Sequence, residues 1–103
     1  ALSMTDRVRR RLLSTPAGVA KEEDVARELF VSKRTLARRL GQEGTGYREI
    51  RDALFAELAA SHLRQSELSV EAIAALLGYH DSANFRRAFR RWYGLSPSEF
   101  RAA

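Results

Sequence analysis

Two short stretches of this chain carry the side chains that nucleic-acid recognition uses. One runs SANFRRAFRR from Ser82 to Arg91, the other SKRTLARRL from Ser32 to Leu40. Arginine offers a planar fork of donors that pairs bidentately with guanine or holds a phosphate. Asparagine pairs bidentately with adenine, and serine serves either role. On a helical wheel at about 100° per residue, Phe85, Ala88, Phe89 and Trp92 form one apolar stripe. Ala83, Arg87 and Arg90 stand opposite it, with Asn84, Arg86 and Arg91 beside them. In the earlier stretch Leu36 and Leu40 mark the buried side. Arg34 and Arg38 then point away from it, flanked by Thr35 and Ala37. Arginines on the shoulders of such a helix suit phosphates, which position a protein on DNA without reading sequence.

The elements that must hold these side chains are all helical. Val70, Ile73, Ala74 and Leu77 recur at helical spacing. Gly78 stops that helix, because glycine accepts the left-handed backbone of a helix end. Asp81 or Ser82 caps the basic helix, and Gly94 ends it. Ser96-Pro97-Ser98-Glu99 then opens a last helix with proline at the first helical position and a Ser-x-x-Glu capping box. A small-residue helix, a short turn and a basic helix make a helix-turn-helix, whose second helix lies in the DNA major groove. Upstream, helices are expected over 6–13 (Val8, Leu12 and Leu13 inward), 21–29, 33–43 and 47–63. Residues 1–3 are given no role. Thr15-Pro16-Ala17-Gly18 reads as a turn. In the long helix Ile50, Leu54 and Leu58 form the main apolar line, with Ala53, Ala59 and Ser61 as small flanks. Ala26, Leu29, Ser32, Leu36 and Leu40 mirror Ala74, Leu77, Ser82, Phe85 and Phe89 at an offset of about 48 residues. The reading is an all-α chain of about seven helices. Residues 4–46 form a first helix-turn-helix subdomain, 47–65 a linker helix, and 66–103 a second subdomain.

Composition narrows the function. Lysine and arginine total 18 against 13 acids in 103 residues, a formal net charge of +5. That balance favours an anionic partner, nucleic acid foremost. Cysteine is absent, so there is no disulfide framework and no thiolate metal site. No apolar run is long enough to span a membrane. Gly44-Thr45-Gly46 lacks the Lys-Ser/Thr and preceding strand of a phosphate loop. His62 and His80 stand alone, and Ser14, Ser61 and Ser66 have no nucleophile-elbow context. Glu22 and Glu23 read as helix-dipole charges. Trp92 and Tyr93 are the aromatics that could stack on bases, but Trp92 keeps register with the core. No catalytic residue, metal site or cofactor is expected.

The motif Ile73-Ala74 … Leu77-Gly78-Tyr79 … Asn84-Phe85 … Arg87-Ala88-Phe89-Arg90-Arg91 … Gly94 … Ser96-Pro97 … Phe100-Arg101 resembles the signature of the AraC/XylS family of bacterial transcription regulators. Ala26 … Ser32-Lys33-Arg34-Thr35-Leu36 … Arg39-Leu40 … Gly44 is similar to that family's first helix-turn-helix. The resemblance implies two helix-turn-helix units bridged by a long helix, with two recognition helices in successive major-groove segments. It implies base reading by Arg34, Ala37 and Arg38 in the first unit and by Ser82, Ala83, Asn84 and Arg87 in the second. Ser32, Lys33, Arg39, Arg86, Arg90, Arg91 and Ser96 are then the phosphate contacts. Two positions depart from the pattern. Phe55 stands where the family usually has arginine, so packing is expected to replace a polar contact. Phe30 stands in the first turn, where a small residue or glycine is common, which leaves that turn's geometry open.

The implied partners are a double-stranded DNA operator and RNA polymerase, in the cytoplasm at the nucleoid, with no membrane. The chain is expected to be the C-terminal fragment of a longer regulator with an N-terminal effector or dimerisation domain. The alternative is a helical protein-interaction module whose basic faces meet an acidic partner. An RNA binder is disfavoured because exposed aromatics are few.

Overall fold

A computed structural model describes residues 2–14 and 21–103. The turn expected at 15–18 lies outside them. The described residues form seven helices and no strand: α1 (Met4–Leu13), α2 (Glu22–Glu28), α3 (Lys33–Gln42), α4 (Tyr47–Gln65), α5 (Val70–Leu76), α6 (Ser82–Tyr93) and α7 (Pro97–Ala102). No described helix is long and apolar enough to cross a membrane. The chain divides into two compact units, Ala1–Leu54 and Phe55–Ala103, with the division inside α4.

In the first unit α3 packs against α1 and α2. Its buried side chains are Met4, Val8 and Leu12 of α1, Val25 and Ala26 of α2, Leu36 and Leu40 of α3, and Ile50 and Leu54 from the start of α4. Helix α1 begins two residues earlier than its local pattern suggests, and its inward stripe is Met4-Val8-Leu12. Leu13, expected inward, is 56% exposed. The early start has a chemical cause. Ser3, given no role by sequence, caps the helix by accepting from the Asp6 amide at 3.0 Å. The amides of Met4 and Thr5 each donate to the Glu43 carboxylate at 2.9 Å. All three first-turn amides are thus satisfied, and a negative charge sits at the positive end of the helix dipole.

The second unit is built on Ala59, Leu63, Val70, Ile73, Ala74, Leu77, Phe85 and Phe89, with Leu58, Tyr79, Trp92 and Phe100 packed around them. The inward line of α4 here is Phe55-Ala59-Leu63 at a spacing of four. Leu58, expected on the main line, is half-buried. Ala59, expected as a flank, is fully buried, because the apolar side of α4 differs between its two halves. Phe55 is 1% exposed, so packing does occupy that position. Aromatic rings surround Phe89: Tyr93 at 4.8 Å, Phe100 at 5.2 Å, Phe85 at 6.0 Å and Trp92 at 6.4 Å between centroids. The Tyr93 hydroxyl donates to the Ala56 carbonyl at 3.0 Å. Arg101 closes the end of α4, donating to the carbonyls of Leu63 (3.1 Å) and Ser66 (3.3 Å).

The turns repeat a single geometry. After α2 the Phe30 amide donates to Arg27 and the Val31 amide to Ala26. After α5 the Gly78 amide donates to Ala75 and the Tyr79 amide to Ala74. Each is a paired closure in which the residue past the cap turns left-handed. Gly78 does so at φ 85° and Gly44, after α3, at φ 83°. Phe30 does so at φ 62°, the one non-glycine with positive φ among the described residues, and its ring is 95% exposed. The first turn therefore keeps the glycine geometry without the glycine. Left-handed backbone costs a side-chain-bearing residue roughly 1–2 kcal/mol, and exposure returns nothing through burial.

Two outcomes follow from these contacts. Phe30→Gly should raise stability by about 0.5–1 kcal/mol, the relief of strain less the extra freedom glycine has when unfolded. Thermal melting of both chains measures it, and a lower melting temperature would show that the Phe30 ring makes a stabilising contact. The second outcome concerns acid. The hydrogen bonds from the Thr5 hydroxyl, then from the Thr5 and Met4 amides, hold the Glu43 carboxyl below its ordinary value. A lowered folded-state value means its stabilisation is complete above the unfolded glutamate value and is lost as pH falls through the folded one. Glu43→Gln should therefore lower stability at neutral pH and flatten its decline toward acid, as seen in melts across pH 2–7.

Candidate nucleic-acid interface

Helix α3 starts because Ser32 accepts from the Thr35 amide at 3.0 Å as its N-cap. Its rotation is fixed by Leu36 and Leu40, both 0% exposed. Arg34, Ala37 and Arg38, the expected base readers, are all exposed, as is Arg39. Among the described residues no carboxylate pairs with Arg34, Arg38 or Arg39. Lys33 differs: its Nζ lies 3.1 Å from Glu23 Oε1 of α2.

Helix α6 starts at Asp81, whose carboxylate accepts from the Ala83 amide at 2.9 Å. It ends at Gly94 with φ 76°. Phe85 and Phe89, both 0% exposed, set its rotation. Asn84 and Arg87 are exposed, Ser82 and Ala83 half-buried. Of the expected second reading set, Asn84 and Arg87 share the exposed side of the helix and touch: Arg87 Nη2 donates to Asn84 Oδ1. Arg90 and Arg91 are also exposed. Arg86 is partly covered. It donates from Nη1 to Ser82 Oγ at 2.8 Å and pairs through Nη2 with Glu71 of α5. Arg90 lies 3.6 Å from Glu99.

At α7 the capping box is complete. The Glu99 amide donates to Ser96 Oγ at 3.1 Å and the Ser96 amide to Glu99 Oε1 at 2.9 Å. With both amides engaged and Pro97 lacking one, Ser96 is committed to holding the helix start. Trp92 and Tyr93, weighed for base stacking, both pack on Phe89 in the aromatic cluster. Among the described residues no group of three or more His, Asp or Glu side chains gathers as metal ligands do.

The residues that sequence reasoning missed are the glutamates. Glu23 reads as a helix-dipole charge and Glu71 is given no role by sequence, yet each meets a cation on the recognition helix that follows. Both carboxyls lie below their ordinary values. For Glu23 the first cause is the hydrogen bond from Lys33. For Glu71 it is a backbone hydrogen bond at its own helix start, then the bond from Arg86. The signal available in the sequence was the internal repeat, which aligns the two.

A helix-turn-helix domain model matches residues 25–103, most of the chain. The chain belongs to the AraC/XylS family. The ornithine utilization regulator of Pseudomonas aeruginosa is 46% identical over 97 residues, which cover 94% of this chain and 29% of that protein. The AraC-type domain thus spans less than a third of that curated relative. Among solved structures, the transcriptional regulator CdpR of Pseudomonas aeruginosa superposes with a TM-score of 0.90 at 40% identity, over 97% of this chain and 32% of that one. The DNA-binding domain of the global transcriptional factor AdpA, solved with a target DNA, gives 0.85 at 25% identity, over 98% of this chain and 92% of that one.

Proposed function

We propose that this AraC-type domain binds double-stranded DNA at specific sequences and thereby regulates bacterial transcription. The observation that carries the reading is the duplicated presentation. Each unit has a capped helix rotated by two fully buried residues, so that Arg38 in one and Arg87 in the other face away from the core at matching positions. Arg34, Ala37 and Arg38 read bases in one major-groove segment; Ser82, Ala83, Asn84 and Arg87 read them in the next. Ser32, Arg39, Arg90 and Arg91 meet phosphates, and Ser96 acts by placing α7. The similar DNA-binding domain of AdpA, solved with a target DNA, supports the same use here. The domain works within a longer regulator that adds an effector-binding or dimerisation domain. RNA polymerase is its further partner, and the cytoplasmic nucleoid its location.

The test compares two arginines of α6. Arg87→Ala should cost about 1–3 kcal/mol on a site selected from a random duplex library and relax the choice at one or two base pairs. Arg91→Ala should weaken selected and scrambled duplexes by similar factors and reduce the salt slope by about one. If Arg87→Ala lowers both affinities equally, Arg87 is a phosphate contact and the assigned rotation in the groove is wrong. A salt-independent affinity for duplex DNA would turn the reading toward a protein partner.

A further inference from the structure

Glu23 and Glu71 occupy equivalent places in the internal repeat, 48 residues apart, each the second residue of the helix before the turn. Their partners are not equivalent. Aligning the recognition helices on their buried residues, Leu36 with Phe85 and Leu40 with Phe89, sets Arg86 against Ala37 and Ser82 against Lys33. In the first unit the position answering Arg86 holds no cation, and Glu23 takes Lys33 at the helix start. In the second, Glu71 reaches Arg86 one turn in, and Arg86 reaches back to Ser82. The result is a chain from α5 into α6: carboxylate, guanidinium, hydroxyl.

An exposed ion pair contributes little to stability. This one matters through what it does with a charge. Sequence alone assigns Arg86 to phosphate. Yet two of its donors are committed, one to Glu71 and one to Ser82, and the carboxylate cancels its charge locally. Because the Ser82 oxygen accepts from Arg86, the hydroxyl proton points away from the guanidinium. A base-edge acceptor such as guanine O6 or N7, or thymine O4, suits a proton so placed.

We propose that Glu71 is a positioning residue for DNA recognition: it holds Arg86 against Ser82 and away from the backbone, so that this cation serves base reading by Ser82 instead of sequence-independent attraction. The inference rests on the DNA-binding reading above. Glu23 restrains Lys33 in the same way but lacks the serine leg, so its effect is on sequence-independent affinity alone.

The experiment is a double-mutant cycle on the full chain, titrated against random duplex and against a selected site at several salt concentrations. Glu71→Gln frees Arg86 for a phosphate. Random-duplex affinity should rise roughly three- to tenfold near 0.15 M salt, and the slope of log affinity against log salt should steepen by about one. The selected site should gain less, and discrimination should fall at the base pair that Ser82→Ala also relaxes. Arg86→Gln should cost random-duplex affinity roughly three to ten times more in the Glu71→Gln background than in the native chain. An equal cost in both backgrounds would mean that Arg86 already sits on phosphate with Glu71 in place, and would overturn the proposal. A native chain that binds no duplex would overturn the DNA reading itself. Binding by the native chain together with an equal Arg86 cost overturns only the role of Glu71.

Discussion

Two fully buried side chains, four residues apart, fix the rotation of each recognition helix. Leu36 and Leu40 do this in α3, Phe85 and Phe89 in α6. Truncating a buried aromatic costs about 3–5 kcal/mol, whereas exposed substitutions usually stay within about 0.5 kcal/mol. The core therefore decides which way the helix faces, and the arginines take the directions left to them. Arg38 and Arg87 stand midway between the two buried residues of their helices, about 200° of helical rotation from each. Any change that let a different residue into the core would turn the whole reading face with it.

The ends of the helices depend on backbone groups instead of burial. Ser3, Ser32, Ser69, Asp81 and Ser96 each accept from an amide of the first turn. Gly44, Gly78 and Phe30 close α3, α5 and α2 with the same pair of hydrogen bonds. The turn between α2 and α3 shows that this geometry is imposed by the hydrogen-bond pattern and not chosen by the residue. A phenylalanine that disfavours left-handed backbone adopts it anyway.

Much of this could be read in advance because the punctuation is local chemistry. Asp81, Gly78, Gly94 and Ser96-Pro97 announce their ends within three or four residues, and the apolar stripes of α3 and α6 announce their faces. What escaped involves partners far apart along the chain. The start of α1 depends on Glu43, some forty residues away, so local periodicity placed it two residues late and turned Leu13 inward. The inward side of α4 changes between its halves, so one apolar line through Ile50, Leu54 and Leu58 could not describe both. At the interface the exposed arginines were legible, but their pairing was not. Whether Glu71 meets Arg86 depends on how the turn brings α5 against α6.

The pairing of Glu71 with Arg86 bears on how a regulator finds its place on a chromosome. A genome presents roughly 10⁶–10⁹ competing non-specific sites, so most encounters are with the wrong sequence. Every cation that grips phosphate anywhere lengthens each such visit. A cation kept in an internal pair shortens the dwell at random sequence while the base-reading side chains keep their hold on the right one. On the proposal made for it, Glu71 thereby shapes the kinetics of this basic chain: it sets how quickly the domain lets go.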